Sequence, residues 1–264
     1  MKIINLSKIS GLLLLCTAIS IASCKKDSGE DQRPDPPPND KQQDIAGIDN
    51  AVNAFMTKYN VPAVSIAVAK NEKLVYAKAY GKADKEAGTD ATTSHLFRIA
   101  SVSKPITGVA ITKLIQDKKL SMDDTVFGPG GILGTKYGTK AYSDNLKKIT
   151  VKHLLHHTAG AWGNSVNDPM FMNNALTFTE LINYTLDNRP VTKTPGTVHD
   201  YSNFGYCLLG RIIETVSGKS YEEYVKTEIF TPMGVKNIIM GGSKLADRKT
   251  NEAKSVVPTP MPIT

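Results

Sequence analysis

The sequence predicts an unbalanced α+β domain, on three observations. A single strand-period hairpin lies early in the folded part: Val64, Ile66 and Val68 alternate with smaller residues, and Leu74, Val75, Tyr76 and Tyr80 read as a return strand. A long region of helical periodicity follows, over residues 106–114, 151–157, 178–186, 204–216 and 221–230. Boundary signals punctuate it: Thr177-x-x-Glu180 and Ser220-x-x-Glu223 read as capping boxes, and Gly218 is placed to end a helix.

Composition narrows the function classes. The 264 residues are 41% hydrophobic and 22% charged, close to an ordinary globular chain and unlike a disordered, collagenous or coiled-coil one. The net charge of +7 comes from 32 basic and 25 acidic residues with no basic run longer than two, so it reads as solvation rather than a nucleic-acid footprint. Three cysteines are too few for a disulfide framework.

Taken from the N-terminus, residues 1–23 read as an export signal. Lys2 and Lys8 precede an apolar stretch over residues 9–21 that is short for a membrane span. Ile21-Ala22-Ser23-Cys24 resembles the lipobox of bacterial lipoproteins. That resemblance implies lipidation of Cys24 and a lipid-anchored domain at the bacterial cell envelope, on its periplasmic or extracellular face. An ordinary signal cut near Ala22 or Ser23 is the alternative. Residues 24–43 hold Pro34, Pro36, Pro37 and Pro38 among charged residues and Gln, and read as a tether. Residues 44–264, roughly 220 of them, suffice for a substantial core. Within them Cys207 is the one cysteine, set on an apolar helical face.

The folded part opens with Ile45, Ile48, Val52, Phe55, Met56 and Tyr59 at helical spacing, ending at Asn60 before Val61-Pro62. The hairpin turns at Asn71-Glu72, and its return strand is expected to close at Gly81. A two-stranded hairpin is marginal alone, so its sheet should hold further strands that this chain does not obviously supply.

Two short motifs carry chemistry. Ser101-Val102-Ser103-Lys104-Pro105 opens a helical run, because proline is tolerated only in a helix's first turn. Ser101 then sits at the positive end of the helix dipole with Lys104 one turn on, on the same face. A hydroxyl beside an amine is a workable nucleophile and base where burial or a neighbouring cation lowers the amine's pKa. Tyr201-Ser202-Asn203, after Pro195-Gly196-Thr197, opens another predicted helix and offers a phenol to relay protons and a carboxamide to orient a carbonyl or the lysine. Each motif alone is weak: helices often begin with serine and contain lysine, and a core tyrosine beside a helix cap is commonplace.

Together, Ser101-x-x-Lys104 and Tyr201-x-Asn203 resemble the serine β-lactamase and penicillin-binding superfamily, in particular the class C β-lactamase and related esterase and D-amino-peptidase branch. Flanking segments agree, among them Phe97-Arg98-Ile99-Ala100 and Ile149 through Gly160 with its His156-His157-Thr158-Ala159-Gly160 turn. The resemblance covers roughly residues 45 to 240. It implies a β-lactamase/transpeptidase-like fold, an antiparallel sheet flanked by helices plus a helical subdomain. It also implies a covalent acyl-enzyme mechanism on a β-lactam, an ester or a D-amino-acid peptide, a small-molecule or peptidoglycan-like substrate, with no cofactor. Ser101 would attack the carbonyl, Lys104 and Tyr201 would share its proton, Asn203 would bind substrate and Lys104, and the Ser101 N–H would form half of an oxyanion hole.

One departure stands out. The family's third motif, a Lys or His followed by a small residue and Gly on a strand beside the nucleophile, has no match after Asn203: Gly241-Gly242-Ser243 lacks the preceding cation. The strands expected of the sheet and the motif expected of the site would lie in the same absent C-terminal region. The expectation is therefore an incomplete hydrolase domain, impaired in turnover and marginally folded, whether a truncated product, a piece of a longer protein or a decayed copy. The alternative is a catalytically inactive, lipid-tethered envelope-binding domain.

Other site readings are weaker. His153, His156 and His157 share a spacing that can serve zinc, but Leu154-Leu155 stands where a zinc protease needs its glutamate, and capping and packing roles suit them better. Gly218-Lys219-Ser220 lacks the earlier glycine of a phosphate loop, where Ile213 stands. The sequence thus assigns no metal.

Overall fold

The computed structural model describes residues 44–172, 176–242 and 245–254. The predicted signal, Cys24, the tether and the tail from residue 255 lie outside the described residues.

Helix α1 spans Ala46–Tyr59 and stops where the sequence predicts, at Asn60, whose left-handed backbone returns its N–H to the Met56 and Thr57 carbonyls. Strands β1 (Ala63–Lys70) and β2 (Lys73–Asp84) pair antiparallel across Asn71 and Glu72, both at positive φ, as a tight two-residue hairpin demands. β2 does not close at Gly81 as expected. It runs on to Asp84 and pairs with a two-residue β3, Thr89–Asp90. Gly81 is there for passage rather than termination: at φ +79° a Cβ would stand 2.2 Å from the Pro62 carbonyl oxygen. The sheet is therefore three-stranded among the described residues, in the order β1-β2-β3. Lys78 of β2 fastens α1 to it through Asp49 and also binds Asp44 just before the helix, both at 2.7 Å, and the Tyr80 hydroxyl donates to Asp49 at 2.7 Å.

The remainder is helical: α2 (Ser103–Gln116, after a 3-10 turn at Ala100–Val102), α3 (Asp144–Lys147), α4 (Val151–Leu155), α5 (Phe178–Asn188), α6 (Asn203–Ser217) and α7 (Tyr221–Tyr224). The single helix expected over residues 221–230 changes pitch, widening to a π-helical stretch at Val225–Phe230. The predicted box at Thr177 forms in both directions with Glu180, and the one at Ser220 in its forward half, Glu223 N–H to Ser220 Oγ at 3.2 Å. Gly218 ends α6 in the left-handed conformation, as read from the sequence. The helix expected over residues 151–157 is shorter, because the chain leaves helical geometry at His156 and His157 takes φ +57°.

The main core is helical, and α6 is its axis. Phe204, Leu208, Leu209, Ile212 and Ile213, which fall on one face at helical spacing, are wholly buried against Ala110, Ile111 and Leu114 of α2 and against Leu154 and Trp162. Burying a side chain of this size stabilises by about 1.5–3 kcal/mol, so the α2–α6 contact is strongly held. Both chemical motifs open those two helices. Packing α2 on α6 therefore brings the motifs together.

Candidate active site

Ala100 carries φ +43°, a left-handed backbone unusual for a residue with a Cβ, and the chain turns there into the 3-10 turn that holds Ser101. Pro105 is the third residue of α2, inside the first turn where its missing N–H costs nothing. From this turn Lys104 Nζ reaches Ser101 Oγ at 3.2 Å and donates to Asn203 Oδ1 at 2.7 Å. The Tyr201 hydroxyl donates to Ser101 Oγ at 2.9 Å across 100 residues of sequence. The lysine ammonium also lies 4.7 Å from the centroid of the Tyr201 ring and 5.6 Å from that of Tyr206. All four residues singled out in the sequence thus converge on one point.

Electrostatics bias the phenol. Burial pushes the Tyr201 pKa upward, but hydrogen bonding with Lys104 and Ser101 and the Lys104 charge outweigh it, leaving the hydroxyl below its ordinary value of 10.0. The phenolate is correspondingly easier to reach than in a free tyrosine.

Four further residues build the frame, one of them, Ser202, from within the second motif. Ser202, buried, caps α6 by accepting from Gly205 N–H at 2.9 Å and donates its own proton to the Trp162 carbonyl at 2.8 Å. His157 lays its imidazole against the Tyr201 ring and accepts from Ser202 N–H through Nδ1 at 3.0 Å. Asp168, buried, accepts from the backbone N–H groups of Asn203 and Phe204 and from Asn203 Nδ2. Trp162 fixes this turn by donating Nε1–H to the Arg189 carbonyl at 2.8 Å.

The segment of residues 157–164 clamps the approach to the tyrosine by backbone bonds. The His157 carbonyl accepts from Asp200 N–H at 2.8 Å, the Thr158 carbonyl from Gly196 N–H at 2.8 Å, and Asn164 N–H donates to the Tyr201 carbonyl at 2.8 Å. Gly160 makes the close approach possible: at φ +83° a Cβ would stand 2.3 Å from the Lys193 carbonyl oxygen.

Of the three histidines expected to cap and pack, His153 and His157 do so, while His156 is exposed. His153 Nδ1 accepts from Thr150 N–H at 3.2 Å, closing a capping box on α4, and burial lowers its pKa. Cys207 packs against the core from α6, and burial pushes its thiol up to about 11. Beside the nucleophile turn runs an open groove of about 610 Å³, lined by Ile99, Ala100, Ser103, Ile106, Val225 and Met240 among others.

Residues 48–260 match the family model described as Beta-lactamase. Protein flp of Staphylococcus aureus (strain MW2) is 30% identical over 199 residues, 75% of this chain and 38% of that protein. The octameric penicillin-binding protein homologue from Pyrococcus abyssi superposes with a TM-score of 0.59 at 33% identity, covering 73% of this chain and 43% of that one. The D-amino acid amidase from Ochrobactrum anthropi superposes with a TM-score of 0.56 at 28% identity, covering 72% of this chain and 52% of that one. The chain thus spans about two fifths to one half of the length of these relatives.

Proposed function

The chain belongs to the Beta-lactamase family, within the serine β-lactamase and penicillin-binding superfamily, and from that premise we propose that it is a serine hydrolase working through a covalent acyl-enzyme. The observation that carries this reading is the convergence on Ser101 Oγ of Lys104 Nζ at 3.2 Å and the Tyr201 hydroxyl at 2.9 Å. A nucleophile is useful only when something takes its proton, and here two groups stand within reach.

In the first step Ser101 Oγ attacks the substrate carbonyl carbon as its proton passes to Tyr201 Oη or Lys104 Nζ, whichever lacks its own. The carbonyl electron pair moves onto oxygen, where the Ser101 N–H, at the positive end of the α2 dipole, stabilises it. Collapse of the intermediate expels the leaving group, which takes the proton back. Water then attacks the ester, giving up its proton by the same route, and Ser101 is released. Asn203 holds Lys104 against the serine and faces the substrate amide.

The substrate reads as a β-lactam, an ester or a D-amino-acid peptide or amide, in line with the penicillin-binding and D-amino acid amidase names of the relatives. The proposal keeps the domain at the cell envelope through lipid on Cys24. Cys24→Ser should then abolish incorporation of a clickable fatty acid and move the protein from the membrane to the soluble fraction.

The test of the hydrolase is an intact-mass spectrum after incubation with a reactive penicillin or a fluorophosphonate. A stoichiometric adduct on the parent and none on Ser101→Ala is expected. An unmodified parent, or an adduct that survives the substitution, sinks the reading.

A further inference from the structure

We infer that Asp168 is a positioning residue for this site, fixing which end of the Asn203 carboxamide faces Lys104. The inference rests on the hydrolase reading above and deepens it.

A carboxamide has two unlike ends, and the lysine needs only one of them. In its protonated form Lys104 Nζ carries donors and no acceptor, so it is then held by Asn203 Oδ1, at 2.7 Å, and would be repelled by Nδ2. Nothing in Asn203 itself selects that orientation, since a half-turn about its last side-chain bond exchanges the two ends. Asp168 makes the selection. Its Oδ2 accepts from Asn203 Nδ2 at 3.3 Å and from the Asn203 backbone N–H. Reversing the amide would set Oδ1 against a carboxylate and the NH2 group against the lysine amine, two losses at once.

The surroundings argue for orientation rather than simple capping. Ser202 already serves α6 as its cap. Every hydrogen bond made by Asp168 is one it accepts: from Asn203 N and Nδ2, from Phe204 N–H at 3.2 Å and from Met170 N–H at 3.0 Å. The residue is 2% exposed, and its side-chain partners among the described residues are backbone N–H groups and a carboxamide, none of them a cation. Burying a carboxylate without a cation is costly, and a neutral Asn or Ser would cap the helix more cheaply. What the carboxylate adds is an acceptor that cannot present a donor. Through Asn203 it sets the Lys104 amine, and through Lys104 the Ser101 hydroxyl.

The experiment is a charge-and-donor swap on the full chain. Pseudo-first-order labelling of Ser101 by a fluorophosphonate is followed for the parent, Asp168→Asn, Asn203→Asp and the double variant D168N/N203D. Each single variant should label about 100-fold more slowly, since misplacement by an ångström costs that much. The double variant puts an acceptor at 203 and a donor at 168, and should recover at least tenfold over Asn203→Asp. A merely structural aspartate predicts no such recovery.

A second readout does not depend on activity. The Asn203 side-chain NH2 signal in a 15N spectrum, assigned by its loss in Asn203→Asp, should be shifted and slow to exchange in the parent. In Asp168→Asn it should move to the position of a solvated carboxamide. Asp168→Asn labelling at the parental rate, or a double variant no better than Asn203→Asp, overturns the inference. A parent that shows no Ser101-dependent labelling overturns the hydrolase reading instead. The amide signal then decides the positioning alone: unmoved by Asp168→Asn, it overturns it.

Discussion

The His157 imidazole lies against the Tyr201 phenol, with ring centroids 4.4 Å apart and planes tilted by 31°, while its Nδ1 accepts from Ser202 N–H at 3.0 Å. One side chain thereby supports the ring of the proton relay and the backbone of the residue after it. The arrangement works only while Nδ1 has a free lone pair, in the neutral form.

Acid should therefore loosen the site before it unfolds the carboxylate network. Burial, then the His199 and Lys104 charges, hold the His157 pKa below its ordinary 6.5, against the charge of Asp168; burial lowers His153 likewise. The unfolded chain takes up protons as pH falls below 6.5 while the folded chain resists, so stability is lost over that interval. Carboxylates held low by their partners, such as Asp187 by the Thr139 and Lys140 N–H groups, add their loss only at lower pH, below the ordinary 3.8. Urea midpoints at pH 7.5, 6.5 and 5.5 should fall progressively, and His157→Gln should flatten the fall. A profile level to pH 5 contradicts this account.

Tyr201 should govern the rise of the reaction with pH. Its hydroxyl is held below 10.0 because contact with Lys104 and Ser101 outweighs burial. The phenolate fraction grows with pH, so fluorophosphonate labelling of Ser101 should increase toward an apparent pKa below 10. Tyr201→Phe keeps the ring against His157 and removes the relay, which should slow labelling by about 10²–10⁴-fold and abolish the rise. Equal rates across pH 6–10 in parent and variant would assign the proton to another group.

Much of this was legible in the sequence because local rules decided it. Asn60, Asn71-Glu72, Gly218 and the Thr177 box end or begin elements through backbone preferences that act over a few residues. The four motif residues were legible through spacing and resemblance. Asp168 was not, because nothing in Asn167-Asp168-Pro169 distinguishes a buried carboxylate from an exposed turn until α6 delivers Asn203 to it. His157 lies within a recognisable turn of the sequence, yet its contact with Tyr201 depends on a bend that ends α4 two residues early and on Asp200 N–H binding the His157 carbonyl. The continuation of β2 was missed for a similar reason: Gly81 looks like a stop until Pro62 is seen crossing it.

Gly160 should tolerate no side chain. Alanine there would combine φ +83° with a Cβ 2.3 Å from the Lys193 carbonyl oxygen, and the atoms it would meet, of Lys193 and Pro195, are all backbone and yield little. Gly160→Ala should cost about 2 kcal/mol or more by urea denaturation. It should also slow Ser101 labelling, since the same turn binds the backbone at Gly196 and Asp200 just before Tyr201. A stable variant with parental labelling would show that the clamp is dispensable.

Ser202 has two duties, and they can be separated. Its oxygen accepts from Gly205 N–H and its proton goes to the Trp162 carbonyl, so the hydroxyl both caps α6 and ties it to the turn that carries Trp162. Ser202→Ala removes both, at about 1 kcal/mol for the cap and about 1–3 kcal/mol for the carbonyl left without its donor. Asp is as good a cap as Ser but has no proton to give, and it would set a carboxylate beside the Trp162 carbonyl and near buried Asp168. Ser202→Asp should therefore be no more stable than Ser202→Ala, although capping alone predicts a return to parental stability. Thr keeps both the acceptor and the donor, and Ser202→Thr should be the mildest of the three. Urea midpoints at constant m-value make the comparison. A rescued Ser202→Asp would mean that the cap is the whole of the serine's contribution and that the Trp162 turn holds itself.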